Sequence, residues 1–183
     1  MDFVGIVGDR GSGKTNFMTA LLQDYAEAGI PVIANYKLDF DSLTMSFDDI
    51  RKIPELVENC VIGLDELGVG ADSYEFFTKN SSKITTLVTQ IRKRRTKVLY
   101  TVQRFNLIAR RLRDQTDGFV MMQDMDKGNY LDDDGKLFSV HRDVCAGLFS
   151  ATFLNENQEI VNQELFDGKA YWKSYDTSEI IWG

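Results

Sequence analysis

The sequence predicts a single α/β domain: a mostly parallel sheet flanked by helices, with antiparallel hairpins added toward the carboxyl end. Three observations predict it. Short apolar runs alternate with helix-period segments as far as about residue 123, a pattern that gives right-handed crossovers and a sheet covered on both faces. The apolar runs are continuous rather than alternating, as strands buried on two sides are. After Met125 the pattern changes, with a turn at Asp132, Asp133, Asp134 and Gly135 and the alternating runs LFSVHR and LFSATFL. These read as hairpins, which divides the domain into a core of about 1–123 and a β-rich addition of about 124–183.

Taken in order, Val4–Val7, Val32–Tyr36, Cys60–Leu64, Val98–Val102 and Phe119–Gln123 are short, apolar and rich in β-branched or aromatic residues, and each is expected as a buried strand. Between the first two, Phe17, Leu21, Leu22 and Tyr25 recur on one helical face and Gly29 closes that helix. Ile84, Leu87, Val88 and Ile91 follow the i, i+3, i+4, i+7 rule, with Ser81 or Ser82 as N-cap.

At 183 residues, 43% hydrophobic and 27% charged, the chain has the composition and length of an ordinary globular domain. Cys60 and Cys145 lie far apart without metal-ligand spacing, and neither a signal peptide nor an 18-residue apolar run is present. A reducing cytoplasm is the expectation. His141 is the only histidine, which argues against histidine-based catalysis and suits a hairpin residue. Charge is distributed unevenly. Residues 90–113 hold nine Lys or Arg and no Asp or Glu, although the chain has a formal net charge of −7; without that segment the remainder stands at −16. An acidic surface does not coat nucleic acid indiscriminately, so the local positive charge is informative.

The first chemical motif is GDRGSGKT, comprising Gly8, Asp9, Arg10, Gly11, Ser12, Gly13, Lys14 and Thr15. It satisfies G-x-x-x-x-G-K-[ST] with a strand before and a helix after, the context a phosphate-binding loop requires. Glycines at 11 and 13 let successive N–H groups and the helix start face phosphate oxygens. Lys14 is expected on the β- and γ-phosphates of ATP and the Thr15 hydroxyl on Mg²⁺. CVIGLDE ends a buried strand with two carboxylates: Asp65 suits the Mg²⁺ shell, and Glu66 suits orienting or deprotonating water. That adjacency favours hydrolysis over transfer to a small acceptor. KVLYTVQ ends in Gln103, which at the carboxyl end of a strand either meets the γ-phosphate or the water, or caps the following turn.

These stretches in this order resemble the additional-strand, catalytic-glutamate P-loop ATPases, and more narrowly the FtsK/HerA group near Zot-like and viral genome-packaging ATPases. GDRGSGKT, GIPVIANYKLDF with its strand ending in Asn, DELG, QIRKRR, VLYTVQ, RRLRDQTD and the Tyr-Asp-Thr of YWKSYDT carry the resemblance over nearly the whole chain. It implies a RecA-like core in which the Gln-ended strand inserts between the P-loop strand and the Asp-Glu strand. Two features depart from the group. The loop after Asp-Glu reads GVGADSYEFF, where relatives often have an aromatic or His and an Arg. Zot-like proteins of filamentous phages typically carry a transmembrane helix, whereas this sequence has none, which favours packaging over extrusion.

The resemblance implies an Mg²⁺-dependent ATPase that works as a homo-oligomeric ring, pentameric or hexameric, on double-stranded DNA. Its partner would be a capsid vertex or portal protein, and it would act in the host cytoplasm or at the packaging vertex of the virion. In such rings positive charge supplies an arginine to the neighbour's γ-phosphate and lines the DNA channel. Arg92, Arg94 and Arg95 are expected to end a helix, and Arg110, Arg111 and Arg113 to sit on a short helix beginning near Asn106. Arg94, Arg95 and Arg113 are candidates for the first use, and Arg92, Lys93, Arg110 and Arg111 for the second; a solvated helix face is the competing use of each. The alternatives are a Zot-like assembly ATPase that does not act on duplex DNA, and a small-molecule kinase with its acceptor under the basic segment. Tyr171, Trp172, Tyr175 and Trp182 either pack the tail onto the core or stack bases.

Overall fold

A computed structural model describes residues 2–46, 49, 58–67, 91–108, 110–125, 129–131, 137–139 and 147–176. The helix expected around Ile84–Ile91, apart from its end at 91–93, lies outside them, as do its N-cap serines, the GVGADSYEFF loop, His141, Cys145 and Trp182.

The five expected core strands lie in an eight-stranded sheet, together with Leu43–Thr44, Leu148–Asn155 from the expected LFSATFL run, and Ile160–Asp167. From the amino terminus, β1 (Phe3–Val7) leads through the glycine loop into α1 (Lys14–Glu27), followed by β2 (Val32–Ala34), β3 (Lys37–Leu38), β4 (Leu43–Thr44), β5 (Val61–Leu64) and β6 (Lys97–Val102). A 3₁₀ turn at Phe105–Leu107 and the short helix α2 (Arg110–Arg113) lead to β7 (Gly118–Asp124). The carboxyl part adds β8 (Asn129–Leu131), β9 (Leu137–Ser139), β10 (Leu148–Asn155), β11 (Ile160–Asp167), a 3₁₀ helix at Gly168–Tyr171 and β12 (Tyr175–Asp176).

The order across the sheet is β11-β10-β7-β1-β6-β5-β2-β4. Six strands are parallel, and β10 and β11 are antiparallel additions on the β7 edge. The Gln-ended strand β6 lies between β1 and β5, as expected. The β8–β9 hairpin forms its own two-stranded sheet instead of joining the edge, and β12 reaches back to pair with β3.

Successive residues of a continuous apolar strand serve opposite faces, so the sheet has two cores. Val7, Ile62, Tyr100 and Val102 pack with Leu112 and Phe119 on the α2 side. Ile6, Val61, Leu99 and Val120 pack with Phe17, Met18 and Leu22 on the α1 side. Helix α1 ends as expected: Gly29 N donates to Ala26 O and Ile30 N to Tyr25 O, both at 2.9 Å, a Schellman closure.

Three details differ from the expectations. The second strand stops at Ala34 rather than Tyr36, although Asn35 N still donates to Gly63 O at 3.2 Å, and the Asn35 side chain bonds the Asp65 backbone. The helix expected to begin near Asn106 is divided into the 3₁₀ turn and α2, with Ile108 extended at φ −76°, ψ 121°. Of the tail aromatics, Tyr171 stacks on Phe166 and Tyr175 meets Tyr36 edge to face, whereas Trp172 remains 52% exposed.

Candidate nucleotide site

The carboxyl ends of β1, β5 and β6 converge, and each delivers one part of the site. After Val7 the chain turns with Gly11 at φ 77° and Gly13 at φ 80°, values that a side chain would strain. Phe17 N donates to Gly13 O at 2.8 Å, and α1 begins. No side chain caps the helix start and its first turn contains no acid. Its leading N–H groups and positive dipole end are therefore left for an anion. The Ser12 hydroxyl oxygen, buried in the same loop, has no hydrogen-bond partner.

Lys14 is 8% exposed, and its Nζ donates to Asp9 O at 2.8 Å. Burial pushes its pKa down, against the pull of Asp65, Glu66 and Asp9. Asp65 shows the opposite case. At 2% exposure its carboxyl is pushed up by burial and, to a lesser degree, by Glu66, while hydrogen bonds from Thr101 and Thr15 oppose the rise. Each group is thus shifted toward its neutral form, because burial outweighs the partners each already has. Thr15 Oγ1 lies 3.0 Å from both Asp65 carboxylate oxygens, giving hard oxygen ligands for Mg²⁺ that leave positions for phosphate oxygens and water.

The acidic turn is held from two directions. Asn35 clamps the Asp65 backbone, accepting from its N–H at 2.7 Å and donating to its carbonyl at 3.1 Å. Thr101 Oγ1 donates to Asp65 Oδ1 at 2.6 Å and accepts from Glu66 N at 2.8 Å. Glu66 thereby rests at φ 53°, a conformation uncommon for a residue with a Cβ. The same strand ties the phosphate loop, since Val102 O accepts from Gly8 N at 3.3 Å and Thr101 O from Leu67 N at 2.9 Å.

A cavity of about 430 Å³ results, and its walls include Arg10, Gly11, Gly13, Lys14, Thr15, Asp65, Glu66 and Gln103. Gly8, Asp9 and Ser12 shape the loop behind it. The walls also include Asn16, which was not singled out in the sequence, and Tyr175, expected there only as a tail aromatic that packs on the core or stacks bases and as the start of the Tyr-Asp-Thr stretch. Thr101 lies just behind.

The basic residues lie elsewhere. Arg92, Lys93, Arg94 and Arg95 precede β6, at the opposite end of a six-residue strand from Gln103, roughly 20 Å at ~3.3 Å per residue. Arg92 is paired with Asp117 and donates to Gln115 O. Asp117 in turn accepts from Asp2 N and Phe3 N, so Arg92 helps anchor the start of β1. Arg113 lies over the Phe105 ring at 5.2 Å, and Arg110 is 3.9 Å from Asp114. Both border a second cavity of about 250 Å³. The Arg111 side chain lies outside the described residues. None of Arg94, Arg95 and Arg113 lines the 430 Å³ cavity of its own chain.

No protein-family model matches the chain, and no curated protein does. Solved structures do match. The genome packaging NTPase B204 from Sulfolobus turreted icosahedral virus 2, in complex with AMPPCP, gives a TM-score of 0.57 at 14% identity over 90% of this chain and 96% of that one. Its complex with ATP-gammaS gives 0.57 at 13% identity over the same shares. The N-terminal domain of zonular occludens toxin from Neisseria meningitidis gives 0.58 at 14% identity, covering 96% of this chain and 100% of that one. At such identities the shared property is the fold, and this chain has the P-loop NTPase fold of these structures.

Proposed function

We propose that the protein is an Mg²⁺-dependent ATPase that moves double-stranded DNA, most closely as a viral genome-packaging motor. The observation that carries this is the single cavity shared by Lys14, Thr15, Asp65, Glu66 and Gln103. Lys14 and the loop N–H groups bind the β- and γ-phosphates. Thr15 and Asp65 hold Mg²⁺, whose chemistry when bound is to offset phosphate charge. Glu66 orients or deprotonates the attacking water, and Gln103 contacts the water or the terminal phosphate. Support comes from B204, whose structures contain ATP analogues and which is described as the DNA-packaging ATPase of Sulfolobus turreted icosahedral virus.

The site lacks an arginine of its own chain beyond Arg10 on the described cavity wall, so a finger reaches it from a neighbouring copy in a ring. Arg94, Arg95 and Arg113 are the candidates for that finger, while Lys93, Arg110 and Arg111 hold DNA phosphates. A capsid vertex or portal protein is the docking partner in the host cytoplasm or virion. The likeness to the zonular occludens toxin domain favours a second reading, an assembly ATPase that does not act on duplex. No helix among the described residues is long and apolar enough to cross a membrane.

Turnover with and without duplex DNA separates the two readings, since the motor is stimulated and the assembly factor is not. Within the site, Lys14→Ala should lose ATP affinity, whereas Glu66→Gln should keep ATP bound and stop turnover. Equal loss of affinity in both variants would remove Glu66 from the hydrolytic role.

A further inference from the structure

Asn16 follows Thr15 in α1, is 2% exposed and forms part of the cavity wall. Its amide has a fixed orientation. Nδ2 donates to Gly168 O at 2.8 Å, and because a carbonyl can only accept, the amide nitrogen and oxygen cannot exchange places. Oδ1 is left as a buried acceptor with no hydrogen-bond partner. The contact that fixes it requires glycine: a Cβ on residue 168 would stand 2.1 Å from Asn16 Nδ2 and 2.8 Å from the Phe149 ring. Buried acceptors without donors are costly, and each one in a fold calls for an explanation. Here the wall of a ligand cavity provides one.

We propose that Asn16 selects the nucleotide, its Oδ1 accepting a hydrogen bond from a donor on the nucleoside half, either a ribose hydroxyl or an exocyclic base amine. The proposal rests on the nucleotide-binding reading above. Donor and acceptor chemistry assigns the nucleoside half: phosphate oxygens carry no hydrogen at neutral pH and would face Oδ1 acceptor to acceptor. Ribose hydroxyls and the adenine amine carry hydrogens to donate. Tyr175, in the same wall, adds an aromatic face suited to a sugar or base. A site that commits an acceptor in this way rejects analogues lacking the donor, because the acceptor then stays unpaired in the complex.

The test is calorimetric binding of ATP, 2′-deoxy-ATP, 3′-deoxy-ATP and inosine triphosphate to the full chain and to Asn16→Leu. Wild type should bind one of the three analogues roughly tenfold more weakly than ATP, and Asn16→Leu should bind that analogue and ATP alike. Loss with inosine triphosphate identifies the amine as donor, and loss with a deoxy analogue identifies the corresponding hydroxyl. Asn16→Ala, checked for folding by circular dichroism, replaces the leucine variant if that variant does not fold. Equal binding of all four nucleotides by wild type overturns the role of Asn16 and leaves the nucleotide reading intact. Discrimination that persists without Asn16 overturns it as well. If wild type binds no nucleotide, the underlying reading fails and the proposal fails with it.

Discussion

Thr101→Val is the sharpest probe of how the hydrolytic turn is held. Thr101 is fully buried in β6, and its single oxygen serves both Asp65 and Glu66. Valine keeps the branched shape and opens no cavity, so the loss is confined to two hydrogen bonds. The bond to the Asp65 carboxylate is charge-assisted and worth about 1.5–3 kcal/mol. The Glu66 N–H, half-buried beside the cavity, loses its acceptor for about 1 kcal/mol, the low end of the range because water reaches it. The added buried methyl returns about 0.8 kcal/mol. The net cost is about 2–3 kcal/mol, or about 5–10 °C in Tm for a chain of this size. Thr101→Ser keeps the oxygen, loses one methyl and should cost about 1 kcal/mol. Urea and thermal melts read the stability, and steady-state kinetics read the function. The valine variant should keep its KM for ATP, because the phosphate loop is untouched, while kcat falls; the serine variant should keep both. A valine variant as stable and as active as the serine variant would refute the reasoning.

Other outcomes follow from the same geometry. Burial holds the Asp65 carboxyl above its ordinary value of about 3.9, so its contribution to stability is complete below about pH 4 and lost as pH rises through the folded value. Without nucleotide, Asp65→Asn should therefore be at least as stable as wild type at pH 7 in urea melts, with the margin shrinking on acidification; a variant less stable at pH 7 counts against this. Although burial pushes the other way, N–H donors from Asp2 and Phe3 together with Arg92 hold Asp117 below the ordinary range. Its stabilisation exists above about pH 4 and is lost as pH falls through the folded value. Asp117→Ala should cost about 1–3 kcal/mol at pH 7 and less in acid, whereas Arg92→Ala, removing an exposed partner, should cost no more than about 1 kcal/mol. If Lys93 or Arg110 holds duplex phosphates, alanine there should lower the slope of log affinity against log salt by about 1 without changing sequence preference, as titration of labelled duplex would show.

The strands and the phosphate loop were legible because their signals are local. Continuous apolar runs marked the buried strands, and Gly11, Gly13, Lys14 and Thr15 fall within five residues with their strand and helix on either side. The place of β6 between β1 and β5 came from the order of motifs, since periodicity carries no information about sheet neighbours. What escaped depends on distant partners. Thr101 sits in an apolar run and reads as an ordinary β-branched strand residue; its bonds go to residues 35 and 36 positions away. Asn16 is coupled to a carbonyl 152 positions on. Arg92 belongs to a conspicuous basic run, yet its partner Asp117 lies on the far side of β6 in sequence. The Asn35 side chain clamps the backbone of Asp65, 30 positions on, a partnership invisible in propensities.

The pairing of β12 with β3 has a biosynthetic consequence. A chain emerging from the ribosome carries Lys14, Asp65, Glu66 and Gln103 once residue 103 is out, but Gly168 and Tyr175 follow only after the β10–β11 hairpin has been made. Contacts this far apart in sequence form late, because the intervening chain must be ordered first. A nascent or truncated chain that stops short of Tyr175 therefore exposes a phosphate loop whose outer wall is missing, and the nucleotide pocket closes only once the β12 segment has been made.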